Sequence, residues 1–179
     1  MNAVITLLDE EFQHRLRKIW SGLRRDVGGT GVATTPFPHF SYQIAERYDV
    51  DYVSAILARV AAGQRPFAVR TTGLGIFTGN LPVLFLSLVK SIELIRLHEE
   101  IWEELRGDGT DLSDLYRPDR WTPHITLYRG SPDNQRLPDI VRVLSGEDFT
   151  GEIIVNNLSL IFRNEGEKGI RARHLFPDA

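Results

Sequence analysis

Cysteine is absent from the 179 residues, which removes disulfides, thiolate metal sites and thiol nucleophiles together. Any chemistry falls to other side chains. Positive charge is not in excess either: 21 Lys and Arg stand against 24 Asp and Glu, a net charge of −3. That balance argues against a protein that coats nucleic acid by bulk electrostatics, while a small local anion site fits it. No apolar run approaches the ~20 residues of a membrane span. The opening apolar stretch, Val4, Ile5, Leu7 and Leu8, has no basic leader and gives way to Asp9, Glu10 and Glu11, unlike a secretory signal. The expected location is the cytoplasm, with no membrane partner. Low-complexity tracts, short-period repeats and composition breaks that would mark a linker are also lacking.

What is present is ordinary globular material, 42% hydrophobic and 25% charged. The length suits one domain, or two small lobes that share a core. Ala3 to Leu8 reads as a strand. From Asp9 as N-cap, Phe12, Leu16, Ile19, Trp20 and Leu23 recur at helical spacing until Gly28-Gly29-Thr30-Gly31. His39 to Ala45 reads as a strand, Asp51 to Ala62 as a helix, and Phe67 to Thr72 with Leu74 to Thr78 as one long or kinked strand. Gly79-Asn80 and Pro82 turn it into a hairpin with Val83 to Val89. Ser91 opens a second amphipathic helix that Gly107 ends. A polar loop leads to the strand His124 to Tyr128, then a short helix near Asp139 to Leu144. Glu152 to Arg163 and Ile170 to Phe176 form a closing hairpin around Asn164 to Gly169. Strands joined by hairpin turns as well as by helices give an α+β class with mostly antiparallel sheets, expected in two lobes.

One repetition carries chemistry. Pro38-His39-Phe40-Ser41-Tyr42 and Pro123-His124-Ile125-Thr126-Leu127 share the order Pro, His, apolar, hydroxyl, apolar or aromatic, 85 residues apart (39 to 124). Alternate side chains of a strand share a face, so each segment offers one imidazole and one hydroxyl on the same side. Two imidazoles facing one cleft suit phosphodiester chemistry. With an unperturbed pKa near ~6.5, one can accept a proton from the attacking group while the other protonates the leaving oxygen, and neither step needs a metal. Ser41 and Thr126 would donate to nonbridging phosphate oxygens. His124 is assigned as base and His39 as acid in hydrolysis, and reversal of the reaction exchanges them. Tyr128 has the parity to face the cleft, either to stack on a base or simply to line the wall. Arg129, an odd five residues after His124, faces away unless a bulge or the strand end turns it; from the cleft it could clamp a phosphate at two points.

These two motifs resemble those of the 2H phosphoesterase superfamily, in particular its bacterial 2'-5' RNA ligase and cyclic phosphodiesterase branch, whose hallmark is a pair of His-x-Thr/Ser motifs. The initial strand and helix, Gly73-Leu74-Gly75-Ile76-Phe77, the run Pro123 to Arg129 and the closing hairpin also fall in family order, so the resemblance spans most of the chain. It implies a single domain over 1–179, bilobal, with two similar α+β halves and outer helices around a central cleft. The activity implied is ATP-independent, cofactor-free hydrolysis of 2',3'-cyclic phosphate RNA ends or cyclic nucleotides, with reversible 2'-5' joining of RNA ends. His39 and His124 become acid and base, and Ser41 and Thr126 hold the phosphate. Ser41 departs from the commoner Thr of the first motif. The competing reading is a binding module of the same fold that grips phosphorylated RNA or nucleotide without turnover; the intact acid and base pair favours the enzyme.

Other signals read as structural. Gly73-x-Gly75 with Gly79 lacks dinucleotide-fingerprint spacing and precedes a strand, so it marks a close-packed strand kink. Gly28-Gly29-Thr30-Gly31 has no following Gly-Lys-Ser/Thr and is a helix stop. His14, His98 and His174 lack hydroxyls two residues on and read as helix-surface or strand-end side chains. No His and carboxylate spacing matches a zinc site. The basic clusters Arg15, Arg17, Lys18, Arg24, Arg25 and Arg171, Arg173 read as solvated faces, or as flanks of the cleft if the fold brings them there.

Overall fold

The computed structural model describes residues 1–28, 31–32, 36–131, 136–164 and 166–178. In chain order these form β1 (Asn2–Leu7), α1 (Glu10–Val27), β2 (His39–Ala45), α2 (Val50–Ala62), β3 (Phe67–Phe77), β4 (Val83–Leu88), α3 (Ile92–Leu105), a 3-10 turn Asp114–Tyr116, β5 (His124–Arg129), α4 (Leu137–Leu144), β6 (Gly151–Val155), β7 (Asn157–Arg163) and β8 (Lys168–Leu175). The eight strands make two four-stranded sheets, β2-β1-β7-β8 and β5-β4-β3-β6, with every ladder antiparallel. The class is α+β and bilobal. Each histidine motif occupies an edge strand of its own sheet, and these two edges, β2 and β5, approach each other.

The helices form where capping and periodicity agree. Asp9 caps α1 by accepting from the Phe12 amide at 2.9 Å, and its second oxygen takes the Ile154 amide of β6 at 3.1 Å. One carboxylate thus starts a helix and closes a sheet edge; a side-chain cap of this kind is worth ~1 kcal/mol. Phe12, Leu16, Trp20, Leu23 and Val27, spaced three and four apart, are the buried stripe of α1. Asp49 caps α2 and Ser91 caps α3. Helix α2 packs on β7 and β8, α3 on β2, and α1 against α4. None of the described helices is long and apolar enough to cross a membrane.

Glu152 to Arg163 is not one strand. It divides at Asn156 into β6, which pairs with β3, and β7, which pairs with β1 and β8. The Asn157 side chain makes the switch: it accepts from the Leu7 amide at 3.1 Å and donates to the Leu7 carbonyl at 2.8 Å, supplying across the break the two bonds a ladder would supply. The chain passes from one sheet to the other there, and periodicity does not reveal it because both halves remain extended and apolar.

Candidate active site

Each motif strand contains a bulge at the same place. In β2, His39, Phe40 and Ser41 sit opposite Leu7, Thr6 and Ile5, but Gln43 sits opposite Val4, so Tyr42 is an extra residue. In β5, His124, Ile125 and Thr126 sit opposite Ser87, Leu86 and Phe85, but Tyr128 sits opposite Leu84, so Leu127 is extra. Before the bulge the side chains alternate, and His39, Ser41, His124 and Thr126 line one shared cleft. Past it the faces exchange. Gln43 and Tyr128 turn into the core, both fully buried, while Ile44 and Arg129 line the cleft. The expectation for Tyr128 is therefore corrected: it faces the core and not a nucleobase. Arg129 reaches the cleft by the bulge that its parity requires.

The loops that precede the motifs close the open strand edges. The Arg129 amide donates to the Gly31 carbonyl at 2.9 Å. Gly31 has φ +80, and a Cβ there would overlap the Arg129 carbonyl. On the other side the Ser113 amide donates to the Ile44 carbonyl at 2.9 Å, and the Glu46 amide to the Thr110 carbonyl at 2.9 Å. The segment before β2 thus seals β5, and the segment before β5 seals β2. Residues 29 and 30 of the Gly28 to Gly31 stop lie outside the described residues.

Both imidazoles are held in one tautomer by the same contact. His39 Nδ1–H donates to the Phe37 carbonyl at 2.5 Å and His124 Nδ1–H to the Thr122 carbonyl at 2.7 Å, each two residues back along the chain. A carbonyl only accepts, so Nδ1 carries the proton and Nε2 is the nitrogen left for chemistry. Burial lowers the pKa of both rings below the ordinary histidine value, against the Nδ1 bonds, which raise it. The charge of His124 depresses His39 further, and the charge of Arg129 depresses His124. At neutral pH the unliganded pair is mainly uncharged. An anionic ligand between the rings would favour proton uptake by one of them.

Each motif strand has a built backing. Behind His124, Phe85 lies at 5.2 Å and Phe77 meets it edge-on at 4.9 Å between centroids. Phe85 packs over Gly75, where any Cβ would overlap its ring; this is the physical content of the Gly73-x-Gly75 kink. Behind β2, Trp121 Nε1–H donates to the Ser41 carbonyl at 2.8 Å. His98 stacks on Trp121 at 3.8 Å, and its Nε2–H is shared between the carbonyls of Tyr42 (3.1 Å) and Tyr116 (2.9 Å). His98 is 2% exposed, so the surface reading of this residue is corrected: two carbonyls and an indole face satisfy it inside the core. Its pKa is pushed down to about 4 by burial. His14 is exposed, and His174 bonds the Ser54 hydroxyl at 3.1 Å.

Tyr116 is not legible in the sequence. It sits in a polar loop with no periodicity, yet the structure places it in the cleft. Its hydroxyl lies beside the Ser41 side chain and feels the Arg129 charge; both pull its pKa down against a larger rise from burial. The cleft therefore gathers two imidazoles, two short hydroxyls, the Tyr116 phenol and the Arg129 guanidinium, and Arg163 and Lys168 line it as well. Among the described residues no three His, Asp or Glu side chains converge on a metal-binding cluster.

The family model of the 2'-5' RNA ligase superfamily matches residues 8–167. The solved structure of TT0787 of Thermus thermophilus is similar over 98% of this chain and 97% of its own, at 19% identity and a TM-score of 0.68. E. coli LigT complexed with 3'-AMP is similar over 98% and 97%, at 17% identity and a TM-score of 0.62. The MHV ns2 PDE domain is similar over 95% and 99%, at 16% identity and a TM-score of 0.51. At these identities the structural likeness carries the fold. No curated protein sequence matches the chain.

Proposed function

The chain belongs to the 2'-5' RNA ligase superfamily, a family of 2H phosphoesterases, and from that premise we propose that it opens 2',3'-cyclic phosphates on RNA ends or small nucleotides by metal-independent two-histidine catalysis. The observation that carries the reading is the pair of equivalent imidazoles, each with Nδ1 fixed on a backbone carbonyl and Nε2 available to one cleft. A pure binding site has no use for two matched, titratable rings. The whole chain acts as one two-lobed unit in the cytoplasm, with the reaction between its sheets.

In hydrolysis His124 Nε2 takes a proton from water as the water oxygen bonds to phosphorus. The bond from phosphorus to the 2' or 3' oxygen breaks, and protonated His39 gives its proton to that oxygen. Arg129 supports this assignment, since its charge favours the neutral form of His124 that a base needs. Ser41, Thr126 and Arg129 hold the nonbridging oxygens, where charge must be stabilised as bond order at phosphorus changes. With a 5' hydroxyl of a second RNA end in place of water, the same transfers join the ends by a 2'-5' bond. E. coli LigT complexed with 3'-AMP and with phosphate supports a nucleotide monophosphate as a fitting occupant.

The reading is tested by incubating the protein with a 2',3'-cyclic mononucleotide and following the phosphorus resonance. Conversion to a 2' or 3' monophosphate supports it. Binding of the cyclic nucleotide with no conversion, and no joining of RNA ends, would give the binding-module reading the lead.

A further inference from the structure

The Tyr116 phenol lines the cleft yet takes no part in the proton transfers or the phosphate contacts described above. Its backbone is pinned on every side. The Ser113 amide donates to the Ile44 carbonyl of β2 at 2.9 Å, and the Tyr116 amide closes the 3-10 turn on the Ser113 carbonyl at 3.0 Å. His98 Nε2–H reaches the Tyr42 and Tyr116 carbonyls together, at 3.1 and 2.9 Å, so one buried donor ties the phenol-bearing residue to the strand of the first motif. Farther on, Trp121 Nε1–H holds the Ser41 carbonyl itself at 2.8 Å. The turn is thus fixed to β2 before, at and after Tyr116, and a side chain on so fixed a backbone is preorganised.

What the phenol is fixed against is the Ser41 side chain, its hydrogen-bond partner. The two motifs differ at this position. Thr126 is β-branched, which restricts its χ1, whereas Ser41 has no second group on Cβ and three staggered positions open to its hydroxyl. A hydroxyl that spreads over three positions meets a given phosphate oxygen from only one of them. The phenol supplies the restriction that the missing methyl does not. Burial raises the Tyr116 pKa above the ordinary tyrosine value, by more than Arg129 and Ser41 lower it, so the phenol keeps its proton at neutral pH and can donate a hydrogen bond.

We propose that Tyr116 is a positioning residue for the first motif: its O–H donates to Ser41 Oγ, selects one rotamer of that side chain and leaves the Ser41 proton directed at a nonbridging phosphate oxygen. The serine hydroxyl then accepts once and donates once, and a donor that is itself an acceptor is strengthened by the chain of bonds. The inference rests on the phosphodiesterase reading above and adds to its phosphate site a group that acts through Ser41 and not on the substrate. Two simpler roles make different predictions. A ring that only fills space between the turn and β2 has no use for its oxygen, and a phenol that bonds the phosphate directly has no need of Ser41.

The test measures the cost of Tyr116→Phe, which keeps the ring and removes only the hydroxyl, in three backgrounds: the unaltered protein, Ser41→Ala and Ser41→Thr. For a 2',3'-cyclic mononucleotide, kcat/KM is expected to fall about threefold to tenfold in the first background. In the other two it should fall less than about twofold, since alanine has no hydroxyl to orient and threonine orients its own. A loss of about threefold or more that persists in either of those two backgrounds, or no loss in the first, overturns the inference. The same cycle is run on the affinity for inorganic phosphate by calorimetry, which needs no turnover. If no cyclic phosphate is opened but phosphate affinity shows the same coupling, hydrolysis is the part that fails and the positioning role stands. Phosphate affinities that are additive across the cycle overturn it.

Discussion

Ile44 and Arg129 are equivalent residues: each lies five positions after a motif histidine, past a bulge, and each is turned by that bulge into the cleft. The two halves of the site match in backbone and differ in charge. One wall closes with an aliphatic side chain and the other with a guanidinium, so the proposed phosphate site has a preferred side. Replacing Arg129 with Gln is expected to lower kcat/KM for a cyclic nucleotide about tenfold or more, as loss of a charge-assisted bond to phosphate should. Replacing Tyr128 with Phe is expected to leave KM within about twofold, because a core residue makes no contact with substrate. A KM change at Tyr128 and none at Arg129 would mean that the bulge is misplaced.

Gly75 gives a prediction about the second histidine. Gly75→Ala places a methyl group inside the Phe85 ring, and Phe85 and Phe77 are what His124 rests against. The variant should lower kcat about tenfold or more, in proportion to a misplaced base, with a smaller change in the affinity for inorganic phosphate. Parallel steady-state kinetics and calorimetric phosphate titration would show whether the loss sits in kcat.

Much of this is legible in the sequence because the signals are local. Asp9, Ser91 and the three- and four-residue spacing of Phe12 to Leu23 specify helices without help from distant residues, and β2 begins and ends where its pattern does. The two His-x-hydroxyl segments can be paired because they repeat. What stays hidden depends on partners far along the chain. The bulges at Tyr42 and Leu127 appear only against Val4 and Leu84, so parity alone puts Tyr128 on the wrong face. His98 is a core residue because Trp121 and two carbonyls enclose it, and nothing within its own helix says so. The break at Asn156 is held by bonds between Asn157 and Leu7.

His98 also fixes a pH dependence of stability. Its pKa is about 4 in the folded chain against ~6.5 when unfolded, so between those values the unfolded state binds more protons. Stability is then complete above about pH 6.5, falls as pH drops toward about 4, and loses nothing further from this group below that. The size is roughly 3 kcal/mol. Urea denaturation at a series of pH values checks it, and His98→Gln should flatten the slope in that window.

The motif histidines titrate in the same direction. Both pKa values are lowered, by burial first, so the singly protonated pair that the mechanism needs is most populated on the acid side of the ordinary histidine value. The profile of kcat/KM should be a bell centred below about pH 6.5, its limbs belonging to the pair and not to either ring. Imidazole proton resonances should titrate below that pH in the free protein and shift upward when inorganic phosphate is added. A bell centred above about pH 7 would contradict this.

The most direct test of the central claim is hydrolysis of a 2',3'-cyclic nucleotide, with chelator present, by the unaltered protein, His39→Ala and His124→Ala. Two imidazoles acting as acid and base predict activity that persists with chelator and falls about a hundredfold or more in each variant, since general acid–base catalysis contributes ~10²–10⁴. Activity that chelator abolishes, or that either variant retains in full, would contradict it.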